Sequence, residues 1–360
     1  MAKGDPLLVV QNLRAYYPSK KGLVRAVDGI SFEVREGECL GIIGESGSGK
    51  SSLALAVIGL FDRVARFRAG TENVPGLVKE FDKDRDERPG VSGKVFFRDI
   101  ELTALPEDEL VKIRGRHIAM IPQGMQRALN PQYSIGYQTG EPIAAHEDDV
   151  RLTELRRKVL EYLGLVHLAD AETRYVMDPS SFSGGEAQRI LIAMSLIGGP
   201  ELVIADEPTS ALDVTIQRQI MNVLSMVRDE FNLSLILISH DAGVVAELAD
   251  RVAVMYAGRF LELGEARQMF LEPGHPYTRG LMSSFPTIAM MRMRAGKGRP
   301  RLRGIPGDPP DLTDIPPGCP FHPRCEYATE VCRNEVPDFR EVEPGHFIMC
   351  HRYEELDDER

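Results

Sequence analysis

The sequence predicts an α/β fold: a phosphate-loop core with a parallel sheet, followed by a small C-terminal extension that a metal centre staples together. Three observations lead to this prediction. A glycine-rich loop stands between an apolar strand and a helix at residues 39–60. Strands alternate with helices over residues 202–256, and four of the five cysteines fall after residue 318.

Composition and charge narrow the class of protein. The chain has 360 residues, 43% apolar and 27% charged, as is typical of a globular protein with an ample core. A net charge of −11 argues against a general nucleic-acid or anionic-lipid surface. The apolar runs are too short to cross a bilayer, and residues 1–18 lack the pattern of a signal peptide. We therefore expect a cytoplasmic protein that reaches a membrane only through a protein partner.

The phosphate-loop motif G-x-x-x-x-G-K-[ST] matches residues 44–51, GESGSGKS. The apolar residues 39–43 predict a buried strand before the loop, and residues 52–60 predict a helix after it. Glycines let backbone N–H groups surround phosphates, and the helix N-terminus adds a favourable dipole. A chance glycine-rich turn is the alternative, which the flanking elements disfavour. The residues expected to contact ATP are Gly44, Ser46, Gly47, Gly49, Lys50, Ser51 and Ser52. Lys50 would reach the β- and γ-phosphates, and Ser51 would ligate Mg²⁺.

A second apolar strand, residues 202–206, ends in the two carboxylates Asp206 and Glu207. An aspartate at the end of a strand is the usual second half of a phosphate-loop site, so Asp206 is expected to bind Mg²⁺ directly or through water. Glu207, one residue further on, would polarise the attacking water. A solvated strand end is the alternative reading of this pair.

The rest of the chain divides into segments that differ in composition and in the pattern of apolar residues. Residues 7–10 and 30–34 alternate as strands do, and residues 62–92 are charged and predict a surface insertion. Residues 106–197 predict a helical region. From about residue 265 prolines and glycines become frequent, and we interpret the basic stretch 292–303 as a solvated linker.

Further short motifs resemble those of ABC-type ATPases, in the order and with the separations of that family. They are the signature-like Ser183-Gly184-Gly185-Glu186-Ala187-Gln188-Arg189, the Q-loop-like Ile121-Pro122-Gln123, the D-loop-like Ser210-Ala211-Leu212-Asp213, the switch-like Ile238-Ser239-His240-Asp241, and Tyr17 at the adenine-stacking position. The resemblance covers residues 7 to about 264. It implies an ABC nucleotide-binding domain over residues 1–264, with an N-terminal β-subdomain and a helical subdomain at about 106–197.

This resemblance also implies roles for the matching residues. Gln123 would help to hold Mg²⁺ and its waters, Glu207 would be the general base, and His240 would contact the γ-phosphate. Tyr17 would stack on adenine, and Asp213 would lie at the nucleotide. The signature residues Ser183, Gly184 and Gly185 would touch the nucleotide of the opposite subunit in a head-to-tail dimer. Glu186 replaces the more frequent glutamine, and we expect little effect because it remains a hydrogen-bond acceptor.

The C-terminal extension, residues 265–360, resembles that of dipeptide and oligopeptide importer ATPases. The matching segments are HPYT at 275–278, IPGDPP at 305–310 and PGCPFHPRC at 317–325. That branch of the family also contains importers of nickel and of oligosaccharides, so the resemblance does not name the solute.

Four cysteines lie in the extension: Cys319, Cys325, Cys332 and Cys350. Zinc modules pair cysteines two to four residues apart, whereas the spacers here are five, six and seventeen residues. This spacing favours a [4Fe–4S] cluster, which members of the branch carry, over zinc and over free or disulfide-linked thiols. His322, His346 and His351 could substitute as ligands. The role would be structural, because we expect a proline-rich extension to build little core of its own.

The resemblance implies the ATP-hydrolysing subunit of an ABC importer at the cytoplasmic face of the cell membrane. Its partners would be a second ATPase, more often a different chain than an identical one, and two transmembrane permeases. An extracytoplasmic binding protein would deliver di- or oligopeptides or a related solute. One alternative is a soluble ABC ATPase of translation or nucleic-acid repair, which the acidic charge and single cassette disfavour. The other is a redox regulator, which the complete catalytic set disfavours.

Overall fold

The structure, a computed structural model, describes residues 4–63, 89–124, 128–210, 212–285, 293 and 304–357. Residues 64–88 of the predicted insertion, and the basic stretch 292–303 apart from Met293, lie outside these ranges. Two compact units emerge. The first unit comprises Met1–Asp5, Arg35–Cys39 and Leu105–Ile238, and the second comprises Pro6–Val34, Leu40–Ala104 and Ser239–Arg360. The division into residues 1–264 and 265–360 rests on the two motif resemblances described above. It stays a prediction.

The strands and helices are numbered here in chain order. The strands are β1 (Pro6–Ser19), β2 (Gly22–Arg35), β3 (Cys39–Ile43), β4 (Gly90–Phe97), β5 (Ile100–Glu101), β6 (Ile118–Ile121), β7 (Leu202–Asp206), β8 (Ser234–Ser239), β9 (Arg251–Tyr256), β10 (Arg259–Glu265), β11 (Arg340–Glu343) and β12 (His346–Ile348). The helices are α1 (Lys50–Val57), α2 (Glu107–Ile113), α3 (Ile135–Ala144), α4 (Leu152–Leu165), α5 (Ala171–Arg174), α6 (Gly184–Leu196), α7 (Val214–Phe231), α8 (Ala242–Leu248), α9 (Ala266–Leu271), α10 (Pro276–Ser283), α11 (Glu330–Asn334) and α12 (Tyr353–Asp357).

The first unit combines a parallel sheet with helices. Strand β7 pairs in parallel with β6 on one side and with β8 on the other, and all five of its residues are buried. Such continuous apolar runs are typical of parallel strands covered on both faces. Helix α7 buries one stripe, Ile220, Val223, Leu224 and Val227, at the spacing of a helix period. Helices α3, α4 and α6 pack on one another, and strand β6 lies within the stretch predicted to be helical.

The second unit holds two groups of strands. In one, β4 pairs antiparallel with both β1 and β5, while β2 lies on the other side of β1. In the other, β3 pairs in parallel with β9, which pairs antiparallel with β10. The C-terminal extension continues this second group, because β12 pairs antiparallel with β10 and β11 pairs with β12. Strand β3, which leads into the phosphate loop, is buried throughout.

The extension contributes a few well-buried apolar side chains. Phe270, Tyr277 and Ile348 are each at most 1% exposed, and Phe321 is nearly as well covered. These few apolar side chains suffice because they pack on β9 and β10 instead of forming a separate core. The extension thus builds little core of its own, as expected, and its apolar residues complete the core around β9 and β10.

A buried carboxylate fastens the extension to β10. Glu262 is 0% exposed and accepts hydrogen bonds from the backbone N–H of Gly274 (2.6 Å), the N–H of His275 (2.9 Å) and Nε2 of His346 (2.8 Å). Burial alone would raise the pKa of Glu262, but these hydrogen bonds, led by that from His346, outweigh it and hold the pKa below the usual 4.5. One side chain thereby joins three segments that are distant in sequence.

His275 is a second buried polar residue of the extension, and it caps the start of α10. Burial lowers the pKa of His275 to about 4, so the imidazole is neutral, and its Nδ1 accepts a hydrogen bond from the N–H of Tyr277 (3.0 Å). A neutral histidine thus caps the helix where a serine or aspartate is more usual.

Replacing Glu262 with alanine should lower the free energy of unfolding of the second unit by roughly 3–5 kcal/mol, because buried donors lose their acceptor. Urea denaturation would measure this change in the free energy of unfolding. Hydrogen exchange of the native protein would show whether the extension loosens. Glu265→Ala, at the exposed end of the same strand, is the control and should cost under about 0.5 kcal/mol. Because the folded-state pKa is depressed, the stabilisation is present above about pH 4.5 and is lost as the pH falls. A difference between the parent and Glu262→Ala that does not shrink in acid would contradict this account.

Candidate nucleotide site and cysteine pocket

The phosphate loop requires glycine at two positions for steric reasons. Gly49, which caps the N-terminus of α1, has φ +108°, and a Cβ there would lie 1.9 Å from the carbonyl oxygen of Ala26. A Cβ on Gly44 would lie 2.1 Å from the carbonyl oxygen of Met255. Side chains at either position would displace a neighbouring strand, so the loop can lie against β2 and β9 only with these glycines.

Lys50 lies folded against the loop. Its Nζ donates hydrogen bonds to the carbonyl oxygens of Gly44 (2.8 Å) and Glu45 (2.9 Å), and the residue is 5% exposed. Ser46 and Gly47, at the crest of the loop, are exposed, and Ser51 and Ser52 in the first turn of α1 are half-buried. A buried ammonium, exposed loop residues and a helix N-terminus together give an anion-binding site.

Tyr17, the predicted adenine platform, lies in β1 with its ring half-buried. Its centroid is 6.0 Å from that of Phe61, at an interplanar angle of 51°. The preceding Tyr16 is buried and directs its hydroxyl to Asp28, so of these two adjacent aromatic residues Tyr17 has the more exposed ring. This arrangement is compatible with stacking on a base.

Gln123, Asp206 and Glu207 belong to the first unit, where two of them meet. Asp206 is the buried last residue of β7, and Glu207 follows with φ +49°. The Gln123 side-chain amide donates to the Glu207 carboxylate at 2.7 Å, across 84 residues of sequence. The left-handed backbone at Glu207 is unusual for a residue other than glycine, and such positions concentrate at functional sites. His240 follows β8 and is exposed.

The signature segment begins helix α6 with a capping box. Ser183 Oγ accepts from the Glu186 N–H (3.4 Å), and the Ser183 N–H donates to the Glu186 carboxylate (2.9 Å). The same carboxylate accepts from Arg174 at 2.7 Å, and this hydrogen bond is the main reason why the pKa of Glu186 falls to about 2. A glutamine here could keep the cap but would lose the ion pair, so Glu186 has a structural part that the sequence did not reveal.

Two further predicted contacts have local structural explanations. A Cβ on Gly185 would lie 2.7 Å from Cγ2 of Ile216, so this glycine lets α6 approach α7. Asp213 caps α7 by accepting hydrogen bonds from the N–H groups of Thr215 (3.0 Å) and Ile216 (3.1 Å). Gly184 and Ser183 are exposed, whereas Ala211 of the predicted D-loop lies outside the described residues.

All four cysteines of the extension line one pocket. Its other walls include His275, Phe321, His322 and His351. Burial, the largest cause, together with the neighbouring thiols, raises the pKa of Cys319 to about 12 and that of Cys350 to about 11. The pKa of Cys325 is raised for the same reason. Deprotonating these thiols is therefore costly unless a cation compensates.

The predicted metal staple is not seen. Within the described ranges, no group of three or more His, Cys, Asp or Glu residues is placed so that it could hold a metal ion. The histidines considered as substitute ligands have other hydrogen bonds. His322 bonds the Cys319 carbonyl, His351 bonds the Glu335 carbonyl, and His346 bonds Glu262.

Sequence reasoning missed one residue of the loop itself. Glu45 occupies a position that the motif leaves variable, and it contacts Tyr277 and Arg324 of the extension. Its partners lie within the segments HPYT and PGCPFHPRC, which the sequence analysis had noted. No periodicity in the sequence connects these segments with Glu45, because they lie more than 200 residues away.

Among the described residues, no helix is both long and apolar enough to span a membrane.

The strand–loop–helix unit, the parallel sheet and helix α6, which begins with the signature segment, together define an ATP-binding cassette ATPase.

Comparison with known proteins specifies the family. An ABC transporter family model matches residues 27–210, and a model of the oligopeptide/dipeptide transporter C-terminal region matches residues 261–332. The oligopeptide transport ATP-binding protein OppD of Escherichia coli (strain K12) is 40% identical over 97% of this chain and 94% of its own length. The dipeptide transport ATP-binding protein DppD of Bacillus subtilis (strain 168) is 40% identical over 96% and 94%. The ATP-binding cassette MJ0796, solved as a dimer with ADP and Pi, covers 72% of this chain and 99% of its own, at 25% identity and a TM-score of 0.58. The chain belongs to the ABC transporter ATP-binding subunits of the oligopeptide/dipeptide type, and it is an ATPase.

Replacing Lys50 with alanine should weaken ATP binding by roughly 10- to 100-fold, the value of one or two charge-assisted hydrogen bonds to phosphate. Isothermal titration of the purified full chain would measure the affinity. Lys112→Ala, which removes an exposed lysine paired with Glu109 on α2, is the control and should bind as the parent does. Unchanged affinity in Lys50→Ala would exclude this loop as the phosphate site.

Proposed function

We propose that this chain is the ATP-hydrolysing subunit of a membrane importer for di- or oligopeptides. The observation that carries the proposal is the joint occurrence, in one chain, of a complete cassette motif set and the oligopeptide-type C-terminal region. Relatives named for oligopeptide and dipeptide transport match nearly the whole chain at about 40% identity. Nickel and oligosaccharides, which the sequence left open, receive no support from those names.

The proposed roles at the nucleotide follow the needs of phosphoryl transfer, which are positioning and charge neutralisation. Lys50 and the loop amides would hold the phosphates, while Ser51, Gln123 and Asp206 would hold Mg²⁺ and its waters. Tyr17 would stack on adenine. Mg²⁺ would neutralise charge on the phosphates when bound, and oxygen-rich side chains of this kind suit it.

Glu207 is proposed as the general base, with His240 contacting the γ-phosphate. In the present structure the Gln123 amide donates to the Glu207 carboxylate at 2.7 Å. This hydrogen bond occupies a lone pair of Glu207 Oε2 that an attacking water could otherwise use. We infer that Gln123 must release Glu207, or turn toward Mg²⁺, before hydrolysis proceeds.

Assembly with a second ATPase follows from the signature segment. Ser183 and Gly184 are exposed at the N-terminus of α6, where backbone N–H groups favour a phosphate. We propose that these residues, with Gly185 and Asp213, serve the nucleotide of the opposite subunit. The related cassette MJ0796 is described as a dimer. We favour a heterodimer, because importers of this type commonly combine two different ATPases.

An exposed apolar surface on the first unit supports docking to transmembrane permeases. Tyr133 and Tyr137 are 49% and 54% exposed, and their rings stack at a centroid distance of 5.0 Å. Val176 and Met177 are also exposed, and the Met177 carbonyl accepts from the N–H of Ile135 at the start of α3, which brings the two segments together. Clustered exposed aromatic and aliphatic residues are typical of protein contacts. The subunit would then lie at the cytoplasmic face of the membrane, and an extracytoplasmic binding protein would act through the permeases.

The test is uptake of a labelled tripeptide by proteoliposomes containing this chain, its permeases and its partner ATPase. Glu207→Gln should keep assembly and ATP binding while hydrolysis and uptake fall at least about 100-fold, since general-base catalysis contributes 10²–10⁴. Glu230→Gln on α7 is the matched control and should retain both activities. Unchanged turnover in Glu207→Gln would remove it as the base. A second measurement is affinity capture of the parent chain from gently solubilised native membranes. If it brings down ribosomes or nucleic acid and no permeases, the soluble alternative is favoured.

We also propose that the cysteine pocket takes a [4Fe–4S] cluster, with zinc as the alternative. Four thiols line the pocket, and the raised pKa values of Cys319, Cys325 and Cys350 mean that a bound cation would relieve the cost of forming thiolates there. The thiols would have to draw closer together than they lie here. A cluster would supply a structural cross-link between the 3₁₀ turn at His322–Arg324, α11 and the segment after β12.

Replacing Cys325 with serine should abolish bound iron and acid-labile sulfide and increase hydrogen exchange in the extension, because one ligand of four is lost. The measurement is metal analysis and visible absorbance of anaerobically purified protein. Cys39→Ala, which alters the cysteine in β3, is the control and should retain iron. A parent protein without iron but with a fully folded extension would contradict the cluster, and stoichiometric zinc in its place would support the alternative.

A further inference from the structure

The extension holds the second residue of the phosphate loop from two sides. The backbone N–H of Glu45 donates to the Tyr277 hydroxyl at 3.0 Å. The Glu45 carboxylate accepts from Arg324 through both of its oxygens, with Nη1 at 2.6 Å from Oε2 and Nη2 at 2.9 Å from Oε1. The main chain and the side chain of Glu45 are therefore both fixed by residues that follow it by 232 and 279 positions.

Arg324 is built into the extension as a rigid donor. Its side chain is 5% exposed, its Nε donates to the carbonyl oxygen of Pro306 at 2.8 Å, and Nη1 also approaches the Tyr256 hydroxyl at 3.4 Å. The hydrogen bond with Glu45 is the main cause that raises the pKa of Arg324 above its usual value. A two-pronged pair of this kind fixes direction as well as distance, and its partial burial weakens solvent screening.

Tyr277 has equally little freedom. It is fully buried, and its ring packs against Tyr256 (centroids 4.6 Å apart) and Phe321 (5.3 Å apart). It lies in the first turn of α10, which His275 caps and whose entry is anchored on Glu262. The hydroxyl that meets the Glu45 N–H is thus held by the same packing that holds the extension on β10.

This restraint acts where the loop most needs it. The carbonyl of Glu45 accepts a hydrogen bond from the Lys50 ammonium at 2.9 Å. Gly44, Gly47 and Gly49 make the neighbouring backbone intrinsically free, and ordering a free loop around phosphates costs binding energy. A loop that is already fixed at Glu45 avoids part of that cost.

We propose that Arg324 and Tyr277 are positioning residues for nucleotide binding, which preshape the phosphate loop through Glu45. This inference rests on the nucleotide role proposed above for the loop. Neither residue touches the nucleotide. Their effect passes through Glu45, so the C-terminal extension sets the affinity of the cassette for ATP.

The test is the affinity of the purified full chain for a fluorescent ATP analogue in the parent and in Arg324→Ala, Tyr277→Phe, Glu45→Ala and Arg324→Ala/Glu45→Ala. Arg324→Ala and Glu45→Ala should each weaken binding by about tenfold, within the 5- to 150-fold range of coupling between sites. The double variant should lose no more than either single one, because both remove the same contact. Arg340→Ala, which breaks the exposed pair with Glu354 in the same extension, is the control and should bind as the parent does.

Two comparisons separate positioning from loss of fold and from failure of the nucleotide site. Tyr277→Phe removes one hydroxyl and keeps the buried ring, so it should fold as the parent does and still weaken binding at least about threefold. Parental affinity in Tyr277→Phe and in folded Arg324→Ala, with Lys50→Ala impaired, would overturn the positioning role alone. Additive losses in the double variant would overturn it as well. Parental affinity in Lys50→Ala would instead overturn the nucleotide site on which it rests.

Discussion

The buried carboxylate of Glu262 is the constraint on which the arrangement of the second unit depends. Glu262 is 0% exposed, so its charge depends on the donors of Gly274, His275 and His346. Those donors belong to the chain leading into α10 and to β12, so satisfying one charge fixes both segments against β10. The position of Tyr277, and through it that of Glu45, follows from this constraint.

Two helices of the first unit, α6 and α7, begin at local caps. The capping box at Ser183 and the cap at Asp213 each set the start of a helix with residues three or fewer positions away. Residues that the family resemblance assigns to nucleotide chemistry therefore also shape the helices that carry them. A substitution at Ser183 or Asp213 would change a helix N-terminus and a proposed contact together, and the two effects need separate measurements.

Most of the fold could be read from the sequence because its signals are local. The apolar runs at β3, β7, β8 and β9 have the length and flanks of buried strands, and the phosphate loop has a fixed spacing. The hydrogen bond from Gln123 to Glu207, which joins residues 84 positions apart, was not predicted. The pairing of Arg324 with Glu45 and the burial of Glu262 had no such signal, since each depends on a partner 12 to 279 residues away. Composition predicted that the extension builds little core of its own, but not that its few apolar residues pack on β9 and β10, because composition alone does not show on what a segment packs.

The short hairpin of β11 and β12 affects how readily this subunit can aggregate through the edge of its sheet. Without it, β10 would present a row of unpaired backbone groups, which is a template for pairing with another chain. With it, the outermost strand in this direction is β11, only four residues long and carrying Arg340, Glu341 and Glu343. A short, charged border strand is a poor template for further strand addition. The extension therefore also disfavours edge-to-edge aggregation of the subunit at this border.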